Sequence, residues 1–254
     1  MIYDNSPQSH RNQALQGFGR FTYIHDPTNG GTRAAYHSAL ERALAAGCQW
    51  ILLLDHDTAL PADFLETSSD ALLAARSRRL GALVPMVRAH GSVVSPAVIG
   101  HYGKVTPLVS GHNSAAQGLT AISSAALVRT EVLAKLAPIP ACFALDYLDH
   151  WMFRSLAERG YSVAVSAAEV SHSLSSHDMR SLSSMRLASI LAAELQFLRG
   201  SSKYSAASYL VWHILRTVRI AVTTKRWALM RVCFLHINAI VMDRWFPWRT
   251  HQYL

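Results

Sequence analysis

Five apolar residues in a row, Trp50-Ile51-Leu52-Leu53-Leu54, run directly into Asp55-His56-Asp57-Thr58. A run of that length is too short for an independent helix and fits a strand buried on both faces of a parallel sheet. Parallel strands need crossover helices, so this one stretch directs the chain towards an α/β fold. Along an extended segment residues i and i+2 project to the same side, so the carboxylates of Asp55 and Asp57 can face one point in space. Open α/β sheets hold ligands beyond the carboxyl ends of their strands, where this pair falls. Two hard oxygen donors there suit Mg2+ or Mn2+ held against a substrate's phosphates. The same residues also suit an ordinary surface turn, with Asp57 and Thr58 opening a helix after Pro61.

Flanking segments extend the alternation. Met1-Ile2-Tyr3 reads as the end of a strand running into the turn residues Asp4-Asn5-Ser6-Pro7, and Phe21-Thr22-Tyr23-Ile24 as a second short strand. A helix is predicted over 32–46, with Tyr36, Leu40 and Leu44 on its apolar face and Gly47 as its stop. A second helix is predicted over 61–76 with Pro61 at its start, followed by a strand over 80–85. Residues 87–110 read as short strands and a mobile loop over the site. Residues 119–128 read as a strand whose apolar pattern is interrupted by Ser123-Ser124, and Thr130 as the cap of a short helix through Leu136. Asp146 is the expected N-cap of a helix ending at Gly160, with Asp149 in its first turn, where the macrodipole favours a carboxylate. After a strand over 162–166, His172 falls in a loop; a loop histidine is more often structural than a ligand.

Half of the 254 residues are apolar and 16% are charged, which excludes a disordered chain and allows one domain with a proper core, with or without an appendage. No apolar run reaches the roughly 18 residues of a spanning helix, and no signal peptide opens the sequence. Cys48, Cys142 and Cys233 have no metal or disulfide spacing and suit a reducing compartment. The charge is uneven: residues 201–254 carry eight basic side chains against Asp243 alone, +7 of the chain's +8. That placement argues against a nucleic-acid cleft in the first 200 residues. After a helix over 181–199, two amphipathic helices are predicted in this tail. One presents Leu210, Ile214, Val218 and Val222, the other Trp227, Met230, Phe234, Ile237, Val241 and Trp245. Tryptophans among arginines suit an anionic membrane surface as well as packing on the domain or on a second subunit, and the +7 charge favours the anionic membrane surface.

Four blocks, in order, resemble the family 2 glycosyltransferases, and among them the rhamnosyltransferase-like members. Asp4-Asn5-Ser6 is similar to the family's strand end. Asn29-Gly30-Gly31-Thr32-Arg33-Ala34-Ala35 is similar to its helix start, and Leu54-Asp55-His56-Asp57-Thr58 to its D-x-D metal motif. Leu145-Asp146-Tyr147-Leu148-Asp149-His150-Trp151, with Arg154 and Gly160-Tyr161, is similar to its acidic helix block. The resemblance covers about residues 1–200. It implies a GT-A (Rossmann-like) nucleotide-sugar-binding domain there, with residues 201–254 as a basic helical extension.

The resemblance further implies the site. Asp4 would contact the base or ribose, Asn29 and Gly30 would lie along the nucleotide, and Arg33 would reach it. Asp55 would lie by the ribose and metal, Asp57 would ligate the metal, and His172 would complete its shell. Asp149 would be the general base, with Asp146 orienting or capping. The expected cofactor is Mg2+ or Mn2+. The expected partners are a dTDP- or UDP-sugar donor and a glycan or lipid-linked acceptor, to which the basic tail adds an anionic membrane surface, the inner face of the cell membrane. Two departures stand out. The family carries a strand–helix unit ahead of the first block, and the glutamate that often follows its second aspartate is replaced by His150-Trp151. A catalytically impaired relative serving as a membrane- or partner-binding module is the second reading. A phosphohydrolase using Asp55 as nucleophile is a third, lacking the downstream lysine and acidic pair that it would want.

Overall fold

The computed structural model describes residues 1–11, 21–75, 79–89, 91–100, 104–108, 119–172, 182–200 and 205–245, with side chains through residue 242. Part of the loop expected over 87–110, together with residues 109–118, lies outside them. The fold is mixed α/β. Its main sheet is built on β5 (Leu80–Ala89), whose apolar run is long enough to be buried along nearly its whole length. β5 pairs in parallel with β11 (Ser162–His172) and antiparallel with β10 (Leu127–Arg129) and β6 (Ser92–Ser95). The remaining strands are β3 (Trp50–Leu52) beside β10 and β4 (Thr58–Ala59) beside β11, giving the order β3-β10-β5-β11-β4. Two small sheets stand apart: β1 (Ile2–Asp4) with β2 (Tyr23–His25) in parallel, and β7 (Ala97–Ile99) between β8 (Val105–Pro107) and β9 (Leu119–Thr120).

The stretch 50–54 is therefore not the centre of a parallel sheet. β3 is partly buried, pairs antiparallel with β10, and is an edge strand among the described residues. Its ladder continues irregularly across Leu53, whose N–H donates to the Ala126 carbonyl, and Leu54 then turns half out to solvent. Length explains the exchange, since ten residues of β5 can hold neighbours along both sides while three residues of β3 cannot.

Local signals place the helices. α1 (Gly31–Ala45) buries Tyr36 and Leu40 and stops where Gly47 adopts φ +66°, as expected; Leu44 faces solvent instead of the core. α2 (Phe64–Ala75) starts three residues later than expected, the Pro61 carbonyl accepting from the Phe64 N–H before the first turn. α3 (Thr130–Leu136) takes Arg129, not Thr130, at its N-cap, because the Thr130 N–H is already bonded to the Gln49 carbonyl. α4 (Leu148–Glu158) buries Leu148, Met152, Phe153 and Leu156 completely against Ala82, Val84 and Val128. Each such side chain contributes about 1.5–3 kcal/mol.

Beyond residue 166 the alternation Ala168 and Val170 in, Glu169 and Ser171 out, carries β11 on to His172. The strand absorbs an irregularity against β5 between Val165 and Glu169. His172 therefore ends a strand instead of lying in a loop, because β4 offers residues 171–172 a second ladder partner.

α5 (Ser184–Arg199) is capped by the Ser183 hydroxyl, which accepts from the Arg186 N–H at 3.1 Å. α6 (Ala206–Thr224) and α7 (Trp227–Trp245) pack on one another, and α7 packs on α5. The apolar faces named from the sequence are not the faces that these helices bury. α6 buries Tyr209, His213, Thr217 and Ile220, and α7 buries Leu229, Cys233, His236 and Ile240, whereas Ile214, Val218, Val222, Trp227 and Phe234 face outward. A polar anchor accounts for it: Glu194 of α5, 2% exposed, accepts from Arg216 Nη1 at 2.9 and 3.1 Å, and Tyr209 shares a hydrogen bond with His236 Nε2 at 3.1 Å. Tyr209 and Ile240 belong to the same core as β5 and α4.

Candidate functional site

The site begins where the chain leaves β3. The Asp55 N–H donates to Ser124 Oγ at 2.8 Å, and the Thr58 N–H donates back to the Asp55 carbonyl at 3.4 Å, closing a turn over Asp55-His56-Asp57-Thr58. A turn, not strand alternation, thus brings the two carboxylates to one side. Register supplies the third group: Thr58 lies opposite His172, and its hydroxyl is 2.8 Å from His172 Nδ1. That nitrogen is 3.4 Å from Asp57 Oδ1.

One ligand atom from each of Asp55, Asp57 and His172 lies within 4.8 Å of the others, and all three side chains are half-buried. An ion held at about 2.1–2.5 Å brings its ligands to within about 4–5 Å of one another, so the spacing fits. Two carboxylates and an imidazole make a hard, mainly oxygen donor set, which fits Mg2+ or Mn2+. Burial pushes the Asp55 carboxyl up and the Asp57 charge adds to this, while His172 pulls it down. A cation would relieve both costs.

Asp149 reaches the same place from α4. It accepts from the Ser123 N–H at 3.2 Å, and the Ser123 hydroxyl shares a 2.6 Å hydrogen bond with Tyr36 of α1. Ser124, next in the chain, holds Asp55 and lies 2.7 Å from the Thr58 hydroxyl. One buried serine turn therefore positions both the acidic pair and Asp149. Burial pushes the Asp149 carboxyl up to about 6, against the lowering effect of its Ser123 bonds; Asp55 adds to the rise and His172 opposes it. The neighbouring His150 shares a 2.6 Å hydrogen bond with the Thr120 hydroxyl, and burial pushes it down to about 4, so it is neutral at pH 7. The break at Ser123-Ser124 is visible in the sequence, but nothing local shows that these serines hold two different aspartates.

Asp146 is not the cap of α4. Tyr147 occupies the N-cap with φ +60°, and Asp146 Oδ2 accepts from Arg186 Nη1 at 2.6 Å and from Ser189 Oγ at 3.0 Å. It is tied to α5 because that helix lays two donors across it, which no spacing within 143–154 reveals.

The residues expected along a nucleotide lie around the start of α1. Asp4 is buried in its own loop, accepting from the Ser6 and His10 N–H groups and from the Tyr23 hydroxyl, which hold its carboxyl well below the usual range. Asp26, which sequence reasoning missed, organises the approach to α1. It accepts from the Thr28 and Gly30 N–H groups and the Tyr3 and Thr28 hydroxyls, and its carboxyl is pulled down to about 2 by the Thr28 bond first. An acidic residue four before a glycine-rich helix start is the signal that could have found it. Asn29 takes a left-handed φ of +53°. The buried Nε of Arg33 has no hydrogen-bond partner among the described residues, and such orphan donors call for a ligand or water.

Gly31 joins these two regions. Its φ is +72°, and a Cβ there would stand 2.6 Å from the Ala144 carbonyl oxygen, which also accepts from the Arg33 N–H at 3.0 Å. Gly31→Ala is expected to cost about 1–3 kcal/mol, read as a lower urea midpoint with an unchanged slope.

Neither a scan of protein-family models nor a search of curated proteins finds a match to this chain.

Proposed function

We propose that the chain is a metal-dependent inverting glycosyltransferase of GT-A type. It would move a sugar, rhamnose being the leading candidate, from a nucleoside-diphosphate donor to a glycan or lipid-linked acceptor. The observation that carries this reading is the convergence of Asp55, Asp57 and His172 within 4.8 Å, with Asp149 hung on the same serine turn. Asp55, Asp57 and His172 would hold the ion. When bound, Mg2+ or Mn2+ stabilises the charge of the departing diphosphate without a proton donor. Arg33, whose buried Nε lacks a partner among the described residues, would reach the nucleotide, and Asn29 and Gly30 would lie along it. Asp4 holds together the loop that would border the base and ribose.

The reaction asks one proton transfer of the protein. An acceptor hydroxyl oxygen forms a bond to the anomeric carbon as the bond to the diphosphate oxygen breaks on the opposite face. The hydroxyl proton passes to a carboxylate oxygen of Asp149. One base and direct displacement give inversion and need no protein nucleophile.

The test is a screen of UDP- and dTDP-sugars with the full chain and Mn2+, with and without chelator. Transfer that requires the metal is expected; transfer undiminished by chelator overturns the metal assignment. Ion binding is predicted to depend on the surrounding hydroxyls, since Thr58 and Ser124 orient His172 and Asp55. Thr58→Val should weaken Mn2+ by about 10–100-fold in a calorimetric titration. Asp57→Asn should weaken it at least as much, and equal affinity in all three proteins would show that the ion sits elsewhere.

One observation favours the non-catalytic alternative, namely that the Asp4 carboxylate is already engaged by three protein donors. A nucleoside diphosphate that fails to bind even with Mn2+ present would decide for it.

A further inference from the structure

We infer that the outward face of the α6–α7 pair is a docking surface for an anionic lipid bilayer, on which the two helices lie flat. The inference is independent of the transfer chemistry. In a helix of 3.6 residues per turn, Val211, Ile214, Leu215, Val218 and Val222 form a stripe on the side of α6 opposite Tyr209, His213, Thr217 and Ile220. Trp227, Phe234, Leu235 and Met242 do the same on α7, opposite Leu229, Cys233, His236 and Ile240. Nine large apolar side chains thus stand at least 38% exposed on two adjoining helices, among the described residues. An apolar surface of that extent on adjacent helices marks an interaction site.

Charge selects the occupant. Between Glu194 and Asp243 the sequence has no acid, and exposed Arg219, Lys225 and Arg231 border or interrupt the apolar stripes. Arg216 and Arg226 are excluded from that set, since they bond Glu194 and the Leu182 carbonyl. Lys225 sits with φ +52° at the turn between the helices, beside the exposed Trp227, so cation and indole are presented together, as at a membrane interface. A second copy of the chain suits this face poorly. A two-fold pairing sets the same patch against itself, bringing three cations against three with no carboxylate between them. Among the described residues neither helix is long and apolar enough to cross a bilayer, and apolar stripes flanked by cations suit helices lying flat on its surface.

The test is co-sedimentation of the full chain with vesicles of phosphatidylcholine alone and of equal parts phosphatidylcholine and phosphatidylglycerol. Binding to the mixed vesicles, weakened by salt and far weaker on the neutral ones, is expected. Each cation near an anionic surface multiplies partition by about fivefold. Arg219→Gln, Lys225→Gln and Arg231→Gln together should therefore lower it by about a hundredfold. Leu215→Asp with Val218→Asp should lower it by about tenfold or more without changing the melting transition, because both side chains are outward. Absence of the wild-type chain from the mixed-vesicle pellet overturns the inference. So does a concentration-dependent dimer that the Leu215→Asp, Val218→Asp variant abolishes, which would assign the face to a second copy. Binding that ignores the three cations and salt also overturns it.

Discussion

Asp149→Asn is expected to lower sugar transfer by about 10²–10⁴-fold while nucleoside-diphosphate and Mn2+ binding persist. The substitution conserves shape, and its amide oxygen can still accept from the Ser123 N–H, so the serine turn that holds Asp55 is left in place. What is lost is the oxygen that takes the acceptor's proton. Burial has already pushed that carboxyl up to about 6, so the wild-type rate should climb as pH rises through about 6 and level off above it, where the base is ionised. The residual rate of the Asn variant should lack that limb. Stability moves the other way. A carboxyl raised in the fold above its unfolded value stabilises the fold at low pH, and that contribution is lost as pH rises through about 6. Asp146→Asn is expected to weaken the tie between Arg186 and the approach to α4 without removing the base. The opposite pair of results, with Asp146→Asn inactive and Asp149→Asn active, would reverse the two assignments.

Glu194→Ala is expected to cost about 3–5 kcal/mol of stability, or on the order of 10 °C in melting temperature for a chain of this size. Glu194 is nearly sealed from water on α5 and takes two bonds from one nitrogen of Arg216 on α6. Truncation leaves the Arg216 guanidinium, stacked 4.6 Å from the Trp212 ring, without its counter-charge. Removing both charges by Glu194→Met with Arg216→Met should recover much of the loss, because no isolated ion then remains in the interior. Urea unfolding of the three proteins separates these outcomes. A cost below about 1 kcal/mol for Glu194→Ala would mean that apolar packing, not this pair, sets the face by which α6 docks.

The two predictions rest on different kinds of legibility. Signals that act within one or two helical turns could be read from the chain itself. The strand–helix alternation, the stop of α1 at Gly47 and the place of Asp149 in the first turn of α4 are all of this kind. So is the D-x-D chemistry of Asp55 and Asp57, since the donor types belong to the residues whatever backbone joins them. Long-range pairing settled the rest. β5 became the central strand in place of 50–54 because it finds partners along both sides. His172 reached the acidic pair because β4 extends the ladder of β11, and the serine turn joined two aspartates 94 positions apart. On α6 the apolar period of Ile214, Val218 and Val222 was legible, but whether that face turned to the core or to solvent was not. A buried Glu194–Arg216 pair costs too much to leave unmatched, so it turned the polar side of α6 inward and left the apolar stripe outside. Sequence determined which chemical groups and local elements exist; the tertiary structure decided which of them meet, because register and the satisfaction of buried charge are properties of pairs of segments and not of either one alone.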